Sequence, residues 1–502
     1  MTLADLYAGL AEHGQVISPL PSALARTVVT GISHDSRRVT PGTVFVALRG
    51  QHADAGTFAA QALERGAAVV VSDHDALEID RSRWLRVHDG RTAIALLAAA
   101  FHGPPSRYLK VIGITGTNGK TTTAHLIASI FDAAGLSCGV IGTVGYRIAG
   151  QLHPAAHTTP EAPDVQRMLR EMLDKRCGAC AMEVSSHALA LRRVDGMEFA
   201  AGVFTNLTRD HLDFHGDMET YFHVKRRLFE MLPPGAPAVI NADDPRAGAL
   251  QQVSTRPVTY GISRPADITP GPLSYSLDGL RFDIRTPRGT VRVQSVLVGR
   301  PNVYNILAAV SLSTALDLSF DAIERGVAAL TGVPGRFEVV SGKGADITVV
   351  VDYAHTDDAL RNLLETARPL ARGRLITVFG CGGDRDRTKR PLMGAVASRL
   401  SDVIIITSDN PRHEDPLRII EDIERGITPD TRRAASEGAL SVPDRREAIA
   451  RAIAVARPGD LVLIAGKGHE TYQVIGETTL PFDDVAVARE ALARRHRNSG
   501  VI

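Results

Sequence analysis

Short apolar runs bounded by turn residues alternate along this chain with longer stretches whose apolar positions recur at helical spacing. Over residues 1–107 the runs TVFVAL and AAVVVS surround a helical stretch, GTFAAQALERG, and the segment ends in the breaker HGPPS. This predicts a small N-terminal α/β domain. From Tyr108 the strands VIGIT, CGVIGT, ACAMEV, AGVFTN and PAVINA alternate with amphipathic helices, as in a parallel sheet with crossover helices. A central domain over 108–334 with a mainly parallel sheet is expected. After GVPGR the alternation restarts with DITVVVD, RLITVFG, DVIIITSD and DLVLIAGKG, which predicts a Rossmann-like C-terminal domain over 335–502. The fold class is α/β in three domains, and 502 residues at roughly 150 per domain agree with that division.

Composition narrows the function classes. Apolar residues make up 44% and charged residues 23%, with a net charge of +1 and no basic stripe with interleaved aromatics. A nucleic-acid partner is not expected. The opening MTLADLYAGL lacks a basic region ahead of an apolar stretch, and the longest apolar run, 93–101, is too short for a bilayer. A cytoplasmic protein with no membrane partner is expected, and nothing demands more than a monomer. Cys138, Cys177, Cys180 and Cys381 include one C-x-x-C, but no second pair stands at zinc spacing and CGAC runs into the apolar ACAMEV. Buried free thiols are the expectation.

The chemistry begins at GITGTNGKTTTAHLI, residues 113–127. Gly116, Thr117, Asn118, Gly119, Lys120, Thr121 and Thr122 lie between a predicted strand and a predicted helix, where peptide N–H groups and the helix N-terminus can face phosphate oxygens. The pattern places Lys120 by the β/γ-phosphates and the Thr121 hydroxyl on Mg²⁺, so ATP is the expected nucleotide. Ile114 stands where the usual spacing has its first glycine, which makes the loop a variant. A plain glycine turn is the alternative. EVSSH, TNLTRDHLDFHG, DYAH, GCGGDRD, SDNPR and GKGHE also follow strand ends, where open α/β sheets bind ligands, so an interdomain site is predicted.

TNLTRDHLDFHGDMETYFHVKRRLF alone reads as a solvated loop and a surface lysine. Together with GTNGKTT, MEVSSH, GRFE, DYAH, GCGGDRD, DNPR and GKGHE it closely resembles the Mur ligase family, over essentially the whole chain. Those enzymes use ATP to join an amino acid to a nucleotide-linked muramoyl peptide. GCGGDRDRTKRPLMG and GKGHETYQ bring the resemblance to the members that add the third residue of the peptidoglycan stem. The resemblance implies an acyl phosphate formed from ATP and a substrate carboxylate, then attacked by an amine. It implies catalytic roles for Lys120, Lys225 and His211. Thr121 and Glu183 are the implied ligands of one Mg²⁺, and Lys225, as a CO₂-derived carbamate, with His211 those of a second. A satisfied loop histidine is the alternative for His211, and His215 reads as structural. Asn302, Arg336 and Asp352 are implied ATP contacts; an interdomain salt bridge is the alternative for the last two. Asp357 departs from the family, where proline is common.

Ser36, Thr158, Thr159, Ser185 and Arg193 are implied contacts of the nucleotide-sugar substrate, UDP-N-acetylmuramoyl-L-alanyl-D-glutamate. Leu191 stands where a glutamine is often found. Arg390, Asp409, Asn410, Pro411, Arg412, Gly466 and Glu470 form the implied pocket for meso-2,6-diaminopimelate. Arg412 suits the distal carboxylate, and Asp409 and Glu470 the distal ammonium. L-lysine as the added amino acid, a folylpolyglutamate synthase-like ligase and a regulatory P-loop ATPase are the alternatives.

Overall fold

The strand Lys110–Thr115 buries every residue but its first, and it occupies the middle of an eight-stranded sheet. The structure is a computed structural model that describes residues 1–48, 55–75, 81–342, 344–428 and 439–498. In that sheet the order is Arg256–Tyr260, Pro237–Asn241, Ala201–Phe204, Lys110–Thr115, Ala179–Glu183, Cys138–Ile141, Tyr146–Ile148, Gln151–His153. The first six strands pair in parallel and the last two antiparallel. Thr205 and Glu183 therefore stand at strand ends on either side of the phosphate loop. The sequence dictates this placement: VIGIT, ACAMEV and AGVFTN are apolar throughout, as strands covered on both faces must be.

Two smaller parallel sheets flank this one. The N-terminal sheet runs Gly31–Ser33, Thr43–Ala47, Val69–Ser72, Trp84–Arg86. The C-terminal sheet runs Glu338–Val339, Thr348–Asp352, Leu461–Ala465, Leu375–Phe379, Val403–Ile406, Ala439–Ser441, with only its first strand antiparallel. Its order brings DYAH, GKGHE, GCGGDRD and SDNPR side by side at carboxyl ends. GTFAAQALERG falls on the helix Ala55–Glu64, and TTTAHLIASIF on Lys120–Ala133.

The apolar runs do not announce an antiparallel sheet over 269–295. Its longest strands, Gly279–Thr286 and Gly289–Ser295, alternate buried and exposed positions, because only one face packs, against Ile306, Val310 and Ile323. The hairpin Tyr472–Ile475 with Thr478–Pro481 is likewise largely exposed.

The helix Met218–Glu230 shows how local sequence delivers a functional group. Asp217 caps it by accepting from the Thr220 N–H at 2.7 Å, worth about 1 kcal/mol. Its buried positions, Tyr221, Phe222, Lys225, Leu228 and Phe229, lie on one face, so the core carries Lys225 inward. At the altered DYAH turn, Thr356 caps the helix Asp357–Ala367 and Asp357 is its first residue. Proline is favoured there for its fixed φ, and aspartate instead complements the helix dipole, so the turn forms.

Candidate active site

Gly116 has φ +148° and Gly119 φ +87°. A Cβ on the first would collide with Thr205 Oγ1 and on the second with Asn305 Oδ1, so the loop needs glycine at both positions. Lys120 opens the following helix and donates from Nζ to the carbonyls of Gly116 at 2.9 Å and Thr117 at 2.8 Å. Asn118 N–H donates to Asn206 Oδ1, and its side chain to Asp358 Oδ2 at 3.2 Å, which ties the loop to the C-terminal part of the chain. Ile114 is a buried strand residue, and the glycine turn begins only at Gly116.

Beside this loop Glu183, 1% exposed, accepts from Thr121 Oγ1 at 3.1 Å, Thr143 N–H at 2.8 Å and Thr143 Oγ1 at 3.2 Å. Lys225, also 1% exposed, donates to the Gly116 carbonyl at 2.8 Å and lies 4.6 Å from the Tyr221 ring centre. Burial and the neighbouring Lys120 push its pKa far down, against the pull of Asp210. Burial also lowers Lys120, opposed by Glu183 and Asp210.

His211 holds a left-handed φ of +53° and packs its ring 4.8 Å from that of His187 and 6.4 Å from that of Tyr221. Burial keeps His211 neutral despite Asp210 at 3.4 Å. His215 is buried with Nε2 2.9 Å from Ser186 Oγ, a structural contact. Burial raises Asp210, but His211, His355, Lys389 and Lys120 together lower it. This carboxylate was not singled out in the sequence, although DHLD contains it.

Arg336 reaches the loop from the third sheet and donates to Thr121 Oγ1 at 3.0 Å, its guanidinium 4.6 Å from the Tyr353 ring centre. Asp352 accepts from the Phe337 and Ala354 N–H groups at 2.7 and 2.8 Å. Among the described residues these two form no ion pair, so a salt bridge between them does not explain the pair. Asn302 turns its amide inward, donating to the Val298 carbonyl and accepting from Asn305, the residue packed on Gly119.

The residues expected to meet the nucleotide-sugar form a chain of contacts. Thr159 Oγ1 donates to the Glu183 carbonyl and accepts from the Ser185 N–H, and Arg193 donates to the Thr159 carbonyl at 2.9 Å. Thr158 and Thr143 hydroxyls are 3.0 Å apart. Ser36 is buried and spent on Gln61. Its neighbours His34, Asp35 and Arg38 line a cavity of ≈ 490 Å³ shared with His157, Glu161 and Asp164, between the first and second sheets. Glu161 accepts both Arg91 and Arg193 at 2.9 Å and so couples the two sides.

In the third cluster Arg412 has φ +51°, held by its N–H to the Val474 carbonyl and its own carbonyl to the Gly476 N–H. Its guanidinium donates only to the carbonyls of Gly383 and Asn410, and among the described residues no carboxylate pairs with it. A Cβ at Gly383 would strike the Pro411 carbonyl, which explains the GCGG run opposite NPR. Asp409 follows the strand Val403–Ile406, and Glu470 follows Leu461–Ala465, two strands away in the sheet. Asn410 is already engaged: its oxygen accepts from Lys467 at 3.0 Å and Val474 N–H at 3.0 Å, and its nitrogen donates to Glu470 at 2.8 Å. Gly466 has φ +119°. Arg390 is 1% exposed and grips Glu414 at 2.8 Å and Asp422 at 3.0 Å. Only its Nε lacks a partner, so it braces GCGGDRD against the segment after DNPR.

All four cysteines are buried and free, with burial pushing Cys138 and Cys381 up to about 12. No described helix is long and apolar enough to cross a membrane.

Comparison with known proteins places this arrangement. The family model described as "Mur ligase middle domain" matches residues 114–313, "Mur ligase, glutamate ligase domain" matches 335–468, and "Mur ligase family, catalytic domain" matches 28–102. A relative from Solibacter usitatus, named "UDP-N-acetylmuramoyl-L-alanyl-D-glutamate--2,6-diaminopimelate ligase", is 50% identical over 477 residues, covering 94% of this chain and 95% of its own. One of the same name from Geobacter metallireducens is 47% identical over 506 residues, covering 97% and 98%. A solved structure of a ligase of that name superposes with a TM-score of 0.69 at 36% identity, covering 99% of this chain and all of the other. With family models matching along its length and relatives 47% and 50% identical over nearly all of it, the chain belongs to the Mur ligase family.

Proposed function

We propose that this chain is an ATP-dependent amide ligase that adds meso-2,6-diaminopimelate to the D-glutamate carboxylate of UDP-N-acetylmuramoyl-L-alanyl-D-glutamate, in peptidoglycan precursor synthesis. The observation that carries the choice of amino acid is Arg412: a half-buried guanidinium with no carboxylate partner among the described residues, on the loop after Val403–Ile406 that also carries Asp409. A ligand carrying a distal carboxylate and ammonium complements both. The names of the relatives agree with this reading.

The residues supply the following steps. The loop 116–122 and the N-terminus of helix Lys120–Ala133 orient the nucleotide phosphates, with the Lys120 ammonium at the transferred group. Thr159, Ser185 and Arg193 hold the muramoyl peptide so that its carboxylate oxygen attacks the γ-phosphorus in line, giving an acyl phosphate and ADP. A neutral amine of diaminopimelate, turned toward the carbonyl carbon by Asp409, Glu470 and Arg412 at its far end, then displaces phosphate. Arg336 and Asp352 close the nucleotide site from the third sheet, and Asn302 backs it through Asn305.

Glu183 and Thr121 suit Mg²⁺: hard oxygen donors 3.1 Å apart, with no group of three or more His, Cys, Asp or Glu gathered among the described residues. Thr121 and Glu183 would hold the ion, which when bound would supply positive charge to the transferred phosphoryl group. Lys225 and His211 would hold a second ion. A buried lysine without a carboxylate partner suits this role as a carbamate, since the neutral amine adds CO₂ and releases a proton.

Phosphate release is the test. It should require ATP, the nucleotide-linked dipeptide and diaminopimelate together. Release indifferent to the amino acid would point to a regulatory ATPase, and equal or better use of L-lysine would overturn the amino-acid assignment.

A further inference from the structure

Lys467 of GKGHE is fully buried, an unusual place for an ammonium group, and the mechanism above does not use it. Its Nζ donates to Asn410 Oδ1 at 3.0 Å and Glu470 Oε2 at 3.1 Å, lies 3.6 Å from Asp409 Oδ1 and stands 5.5 Å from the Tyr472 ring centre. Of the other buried cations in this part of the chain, Arg390 is held by Glu414 and Asp422, and Arg445 is taken by Asp484 through two bonds of 2.8 and 2.7 Å. Lys467 is thus one cation shared between two carboxylates.

Its bonds are divided unequally. Glu470 Oε2 receives both Lys467 and Asn410, whereas Asp409 Oδ1, on a residue 6% exposed, has no hydrogen-bond partner. A buried carboxylate oxygen left without a donor is destabilising, and a ligand ammonium would relieve that. We propose that Lys467 is a positioning residue for the amino-acid pocket: the internal counter-cation that holds Glu470 and Asn410 in place and leaves Asp409 Oδ1 as the seat of the substrate's distal ammonium. This rests on the ligase reading above. Removing the charge leaves two carboxylates facing each other with no cation between them, so the pair retains a proton and the seat is lost.

The test uses the full-length enzyme and three steady-state titrations. Lys467→Met should raise KM for diaminopimelate thirtyfold or more, while KM for ATP and for the nucleotide-sugar change less than threefold. Lys467→Arg keeps a cation between the two carboxylates and should hold KM for diaminopimelate within about fivefold of the wild type. A lysine that only packs its stem would not separate the arginine variant from the methionine variant. If Lys467→Met does not fold, Lys467→Gln keeps an N–H donor without the charge and should show the same split. An unchanged KM for diaminopimelate in Lys467→Met, a parallel rise in all three KM values, or an arginine variant no better than the methionine variant overturns the proposal. Failure of the wild type to use diaminopimelate overturns instead the ligase reading on which it rests.

Discussion

Lys225 Nζ and the Gly116 carbonyl oxygen are 2.8 Å apart, so a buried amine from helix Met218–Glu230 props the first turn of the phosphate loop. Burial and Lys120 disfavour its charged form. A lysine conserving only structure would gain by reaching water or a carboxylate; this one does neither among the described residues. We propose that this amine is held ready to take up CO₂.

Lys225→Ala should therefore reduce phosphate release to background while leaving the thermal melt within a few degrees of the wild type. Because the missing element is an anionic oxygen ligand, a short-chain carboxylate or high bicarbonate should restore part of the rate. Wild-type turnover by the alanine variant would remove the lysine from the mechanism.

The loop itself gives a second test. Gly116→Ala sets a Cβ against Thr205 Oγ1 at a backbone angle that L-residues rarely adopt. The damage is local to the carbonyl shared by Lys120 and Lys225. ATP binding measured by calorimetry should fall by at least a hundredfold, about 2.7 kcal/mol or more. Nucleotide-sugar binding should survive, and loss of both ligands together would mean a general collapse instead.

Continuous apolar runs made the parallel strands legible, because a strand covered on both faces has no polar alternation to confuse it with a helix. The 269–295 sheet was not, since its one-sided burial spreads the apolar residues out. The site was legible where glycine and charge cluster after strand ends. What sequence could not give was division of labour within the clusters. Asn410 and Arg390 resemble ligand contacts, yet one is already bonded to Lys467, Val474 and Glu470 and the other grips Glu414 and Asp422. Glu414 and Asp422 are 24 and 32 residues from Arg390, and only the fold brings them together.

Acid should weaken the fold through His125. Burial, then Arg147 and Arg336, lowers its pKa to about 4. An unfolded histidine takes its proton near about 6.5, so between these values the unfolded chain binds more protons and stability rises with pH. The loss begins as pH falls through about 6.5 and is complete below the folded value; at pH about 5 it is on the order of 2 kcal/mol. His125→Gln should lose less melting temperature than the wild type between pH about 7.5 and 5. Parallel declines would show that His125 is not the group being titrated.

We propose that Arg412 decides between two substrates that differ only at the far end of a side chain. Its backbone sits at φ +51°, where a non-glycine residue is strained, and three local contacts hold it there: its N–H to Val474, its carbonyl from Gly476 and its Nη1 to Gly383. The strain aims a guanidinium whose charge no described carboxylate meets. Diaminopimelate supplies that carboxylate, whereas lysine would leave the cation without one. A charge-assisted hydrogen bond contributes about 1.5–3 kcal/mol, or roughly ten- to a hundredfold. Wild-type kcat/KM should favour diaminopimelate over lysine by at least that factor. Arg412→Ala should lower it for diaminopimelate by about as much and leave the low value for lysine within about threefold, because lysine never used the contact. Arg412→Lys should recover only part of the loss, since an ammonium cannot make the paired bonds of a guanidinium. An alanine variant that loses both substrates equally would assign Arg412 to loop folding, and the preference for diaminopimelate would have to come from elsewhere in the pocket.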